Sequence, residues 1–124
     1  MFSGRGAAAY RSTHLGSSPQ RALVALLERL VRDMDEAKSR VVQRYILAKS
    51  ELLGHALAII GELQAALNHE LAPETCSNLT RLYDYMSAQL VDGGARLDPT
   101  PIENARRVAE QLCQGFRGAV EAGP

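Results

Sequence analysis

The chain has no tryptophan and only 5% aromatic residues, too few for the aromatic and β-branched strands of a β-sandwich. Its two cysteines are too few to frame a disulfide-stapled secreted fold. Neither sign of charge is in excess: 14 Lys plus Arg stand against 14 Asp plus Glu. A protein that lives on DNA or RNA phosphates carries a strong basic surplus, so that balance argues against a nucleic-acid partner. No apolar run approaches the ~18 residues of a membrane span. Met1 to Leu15 lacks the continuous apolar segment of a signal peptide. The 46% of hydrophobic residues is carried mainly by Ala, Leu and Val, a mixture that favours helices. With 124 residues there is room for one core. The expectation is a single all-α domain, soluble and cytosolic.

Residues 1–17 hold Gly4, Gly6, Gly16 and several serines, with too little apolar surface to offset the entropy of ordering them. They read as a flexible N-terminal tail ahead of a helical domain over 18–122. Tyr10 and Leu15 stand out as isolated apolar side chains that either dangle or dock onto the domain behind them. Ser18-Pro19 opens the first helix, with Ser as cap and Pro in the first turn. Leu23, Leu26, Leu27, Leu30, Val31, Met34, Ala37 and Val41 then follow the i, i+3, i+4, i+7 rule. A second stripe runs through Leu52, Leu53, Ala56, Ile59, Ile60, Leu63 and Leu67. Read literally, 19–68 is one helix of ~75 Å, too long for such a domain, so a turn falls between Met34 and Ile46 without a residue to mark it. The third helix opens at Pro73-Glu74, carries Leu79, Leu82, Tyr83, Met86 and Leu90 inward, and is expected to stop at Gly93-Gly94. Thr100-Pro101-Ile102-Glu103 reads as a capping box for the fourth, with Ile102, Ala105, Ala109, Leu112, Phe116 and Val120 on one side. Gly115 and Gly118 suggest fraying near its end. Four amphipathic helices on short connections give an antiparallel up-down four-helix bundle.

A search for chemistry finds no credible catalytic constellation. Di-iron bundles need Glu-x-x-His pairs on two helices, and this chain has none, so Glu51, His55 and Glu62 read as a solvated face rather than metal ligands. No cofactor is expected. Cys76 and Cys113 lack Cys-x-x-Cys spacing and a basic neighbour, and read as small core residues. The cations Arg29, Arg32, Lys38, Arg40, Arg44 and Lys49 read as a solvated surface. What remains is apolar surface, densest at Leu82-Tyr83-Asp84-Tyr85-Met86. Tyr85 lies off the inward stripe, where a large side chain with a polar tip suits a contact.

The landmarks Ala9-Tyr10, Ser18-Pro19 with Leu26, the series Ala56, Ile59, Ile60, Glu62, Leu63 and Leu67, and the run Asn78-Leu79-x-x-Leu82-Tyr83-Asp84-Tyr85-Met86 followed by Leu90 resemble the flagellar secretion chaperones of the FliS family. The likeness spans about residues 9–122. It departs at Leu26-Leu27-Glu28, where members have Leu-Tyr-Asp, at Gly93-Gly94, where they have Ala-Asn, and at Val120, where they have Trp. The resemblance implies a first turn near 41–46. It also implies a cytosolic, non-enzymatic export chaperone that binds the disordered C-terminal region of flagellin and acts with the flagellar export gate. On that resemblance the tail plugs part of an empty client groove, and Tyr10, Leu15, Leu26, Tyr83, Tyr85, Met86 and Gln89 are the expected client contacts. The competing reading is a homo-oligomeric structural or regulatory bundle, such as a homodimer paired through its own apolar face. A small helical enzyme or metal protein is a third.

Overall fold

The structure, a computed structural model, describes residues 9–10 and 18–122. Helices α1 (Ser18–Gln43), α2 (Ile46–Ala65), α3 (Pro73–Arg96) and α4 (Pro99–Ala122) form the expected all-α, up-down bundle. Each packs against its neighbours in the chain and α1 closes the ring against α4, while the α2–α3 pairing is the loosest of the four. The stripes meet in one core, with Leu27, Leu30, Met34, Ile60, Leu79, Met86, Leu90, Leu112 and Phe116 all fully buried. A buried large aliphatic side chain contributes ~1.5–3 kcal/mol, so this contact of stripes is what holds the helices together. Cys76 and Cys113 are buried free thiols within it, as expected. Leu82, read as inward, is only partly buried against it. Most of the tail expected over 1–17, Leu15 included, lies outside the described residues, as do the side chains of Ser18 and Val120.

The structure corrects the turns. Gly93 and Gly94 do not end α3, which runs on to Arg96 with both glycines buried. A Cβ on Gly93 would stand 2.8 Å from Ile102 Cγ1 and 2.9 Å from the Asp98 carbonyl oxygen, and one on Gly94 would stand 2.7 Å from Leu53 Cδ1. The pair is a place of close approach between α3 and its neighbours. The stop comes from Leu97, in the left-handed region at φ 52°, with the Asp98 N–H donating to the Gly93 carbonyl at 3.0 Å. The α1–α2 turn is built likewise: Arg44 takes φ 61°, and the Tyr45 N–H donates to the Arg40 carbonyl at 2.9 Å. The start of α4 is also revised. It begins at Pro99, and Asp98 Oδ1 accepts from the Thr100 N–H at 2.9 Å, so Asp98 rather than Thr100 caps it. The helix runs through Gly115 and Gly118 to Ala122.

Glu103, freed from the capping box, pins α4 to α1. It accepts from Lys38 Nζ at 2.8 Å and from Arg106 Nε at 2.9 Å, and Arg117 pairs with Glu28 at 2.8 Å further along the same seam. The hydrogen bonds from Arg106 and then Lys38 hold the Glu103 carboxyl down at about 2 against an ordinary 4.5. A depressed carboxyl contributes stability that is complete above 4.5 and disappears as pH falls toward 2. Urea unfolding across that window should therefore show a shallower acid loss in Glu103→Gln than in the natural chain. Glycine substitutions divide by their surroundings. Gly93→Ala should lower the melting temperature more than Gly94→Ala, because it meets a backbone oxygen and not only the end of a flexible leucine. Gly61→Ala, with open space around it, should raise stability by up to ~1 kcal/mol.

Candidate functional site

The site begins at the C-terminal end of α2, where the last carbonyls of a helix have no partner within it. The Ala66 N–H reaches the Glu62 carbonyl and the Leu67 N–H the Gln64 carbonyl, which passes over Leu63. Tyr10 supplies the missing donor: its hydroxyl donates to the Leu63 carbonyl at 2.9 Å. The same hydroxyl meets that of Tyr83 on α3 in a short contact. Since the single proton of Tyr10 is committed to Leu63, Tyr83 is the donor to Tyr10. One residue earlier, the Ala9 carbonyl accepts from the Asn68 N–H at 2.9 Å, and Ala9 is fully buried. The Tyr10 ring stands edge-on to Phe116 of α4, with centroids 5.9 Å apart and planes at 82°. Of the two fates open to Tyr10, dangling or docking, the structure shows docking.

Beside Tyr10 runs a furrow of about 430 Å³ between the first turns of α1 and the last of α2. Ala22, Leu23 and Leu26 form one wall and Leu63, Ala65 and Ala66 the other, with Glu62 at the rim and Tyr10 at the end. Its lining is almost wholly apolar. Two small residues in succession, Ala65-Ala66, leave the space that larger side chains would fill. Burial pushes the Tyr83 hydroxyl up to about 12 and raises Tyr10 further still, by burial first and then by the neighbouring Tyr83. Both are neutral at physiological pH.

Three of the expected contacts converge here: Tyr10 and Leu26 line the furrow, and fully buried Tyr83 lies beneath Tyr10. The others stand apart. Met86 is fully buried in the core. Gln89 accepts from Asn104 Nδ2 at 3.1 Å across the α3–α4 seam. Tyr85 faces outward from α3, 43% exposed. Sequence reasoning missed the furrow's second wall and Phe116 as a partner of Tyr10. The two alanines ending the α2 stripe were the available sign. Glu51, His55 and Glu62 are exposed, as read from the sequence. No helix among the described residues is long and apolar enough to cross a membrane.

Fold and site together define a small helical-bundle protein with an open apolar furrow between two helices, lined at one end by its own Tyr10. The sequence matches the family described as Flagellar protein FliS over residues 5–123, nearly the whole chain, and the protein belongs to that family. Among curated relatives it is 29% identical over 102 residues to the flagellar secretion chaperone FliSB of Pseudomonas aeruginosa, covering 82% of this chain and 81% of that one. It is 28% identical over 123 residues to the flagellar secretion chaperone FliS of Salmonella typhimurium, covering 94% and 91%. The corresponding protein of Vibrio cholerae is 27% identical over 96 residues, covering 77% and 71%.

The hydrogen-bond order makes the two tyrosines unequal. Tyr10→Phe strands both the Leu63 carbonyl and the Tyr83 hydroxyl, whereas Tyr83→Phe strands neither group, because Tyr10 keeps its acceptor. Urea unfolding should show Tyr10→Phe costing ~1–3 kcal/mol and Tyr83→Phe distinctly less. Both hydroxyls are held above their ordinary 10, so the stability they add is complete below pH 10 and fades as pH rises through 12. Tyrosinate absorbance followed alongside circular dichroism should show their ionisation coinciding with loss of structure.

Proposed function

We propose that the protein is a cytosolic export chaperone that holds the disordered C-terminal region of flagellin, prevents its premature polymerisation and presents it to the flagellar export gate. The observation that carries this reading is the apolar furrow ended by the chain's own Tyr10. An amphipathic client segment can lay i, i+3, i+4 anchors between Leu23 and Leu26 on one wall and Leu63 on the other. The names of the relatives, each a flagellar secretion chaperone, supply the class of client. The furrow alone is too small to repay the ordering of a disordered chain, which costs ~2–5 kcal/mol or more. A longer client therefore continues over the bundle, where outward Tyr85 and half-buried Gln89 on α3 offer contacts and Met86 supports them from within. In this reading residues 1–17 are a plug: Tyr10, with Leu15 behind it, occupies ground that the client takes.

Isothermal titration of the full chain with a synthetic flagellin C-terminal segment tests this. Binding should be micromolar or tighter, with a strongly negative heat-capacity change. Leu26→Asp should weaken it at least tenfold and Tyr85→Ala to a smaller degree, with the fold retained. Tyr10→Ala removes the competitor and should tighten binding by about tenfold if docking of the plug is worth ~1.4 kcal/mol. Unchanged affinity in Tyr10→Ala would remove the plug, and no binding at all would remove the client.

A further inference from the structure

At the end of the α1–α2 hairpin remote from the furrow, six residues expose four apolar side chains: Val42 is 67% exposed, Tyr45 57%, Ile46 47% and Leu47 87%. Isolated exposed apolar residues are ordinary, but a contiguous group is not. The charge around them is equally uneven. From Lys38 to Lys49 the chain holds four cations and no acid, although the whole protein is neutral. Most of the acids that share this end of the bundle are already engaged, and exposed Glu51, one turn beyond Leu47, is the exception among those described. Glu103 pairs with Lys38, Arg106 and Arg107, and Asp92 and Asp98 pair with Arg96. Lys38 is thereby neutralised, which leaves Arg40, Arg44 and Lys49 against Glu51 alone, a surplus of positive charge. Arg40 stacks over the Tyr45 ring at 5.8 Å, and Lys49 donates to the Gly94 carbonyl at 3.2 Å, so two of the three are held at the tip.

Shape narrows the occupant. A partner helix beds into a concave groove, whereas these residues cap the end of a two-helix hairpin, away from the furrow. A surface that presents anionic groups outside and an apolar layer just beneath meets both halves of the patch at once. We propose that the α1–α2 turn docks peripherally on anionic phospholipid bilayers. Leu47, Ile46 and Val42 enter the acyl boundary, Tyr45 sits at headgroup level as interfacial aromatics do, and Arg40, Arg44 and Lys49 meet lipid phosphates. With so few inserted residues the attachment is weak and reversible. Leu26 of the furrow lies ~27 Å from Arg44 along α1 at 1.5 Å per residue, so docking leaves the furrow open. The inference stands independently of what the furrow binds.

The absence of tryptophan makes Leu47→Trp a single-site reporter, and the position is exposed enough to accept it. The full chain is mixed with vesicles of phosphatidylcholine alone, or of phosphatidylcholine with phosphatidylglycerol, at low salt. The expected result is a blue-shifted emission and co-flotation with the anionic vesicles only, lost as salt is raised. Arg44→Asn removes a cation while keeping a residue that tolerates the left-handed conformation, and should lower the partition coefficient about fivefold. Leu47→Asp should abolish flotation while circular dichroism stays unchanged. The proposal is overturned by equal binding to both vesicle types, by no binding to either, or by tip variants that float like the natural chain. A concentration-dependent self-association that Leu47→Asp removes would also overturn it, by assigning the tip to a second copy.

Discussion

The lower end of the bundle is closed by a residue that belongs to none of its helices. Between the start of α1 and the end of α2 the small, exposed side chains of Ala22, Ala65 and Ala66 leave an open furrow. Tyr10 borders it with its ring against Phe116, and its hydroxyl satisfies both the Leu63 carbonyl in the last turn of α2 and the buried hydroxyl of Tyr83. Ala9 adds a backbone bond to Asn68. Packing and polar satisfaction thus depend at one point on a segment joined to the bundle only through the chain leading to α1.

The opposite seam is organised on another principle. Along α1 and α4, Lys38, Asp35 and Glu28 face Glu103, Arg106 and Arg117, and among the described residues these are the ion pairs that cross between helices. Partly exposed pairs contribute only ~0–1 kcal/mol each, so they fix register more than they stabilise. The helix with the least use of charge is α2, which carries Lys49, Glu51 and Glu62 over twenty residues and leaves Leu47 and Ile46 in solvent. Its apolar surface extends round more of its circumference than the core covers. The furrow and the exposed tip both lie on this helix, one at each end.

The architecture was legible because periodicity is written redundantly: each stripe repeats its signal over five or more positions, so one ambiguous residue does not erase it. The turns were not legible for a physical reason. Chain reversal after α1 and after α3 uses left-handed Arg44 and Leu97, residue types that carry no turn signal, while the glycines that do carry one sit inside α3 for close packing. The likeness to FliS placed the first turn where periodicity could not. At the site, Tyr10 was visible as an isolated apolar residue ahead of the first helix, and Leu26 as a member of that helix's stripe. The second wall of the furrow was not, because Ala65 and Ala66 matter through the volume they lack, and a sequence shows an absence of bulk only once the facing helix is known. Met86 and Gln89 were named on the family resemblance rather than from geometry, and the bundle turns them toward the core and toward α4.

If the client takes the ground held by Tyr10, it inherits the polar debts there. Removing Tyr10 strands the Leu63 carbonyl and the Tyr83 hydroxyl, and an unpaired buried group costs ~1–3 kcal/mol. A purely apolar segment could fill the furrow yet leave both unpaired, offsetting much of what its burial contributes. A segment that also brings a donor to Leu63 and an acceptor to Tyr83 avoids that penalty. On that reading, selection among apolar segments would rest less on the apolar walls, which accept any side chain of suitable size, than on two polar atoms at the end of the groove.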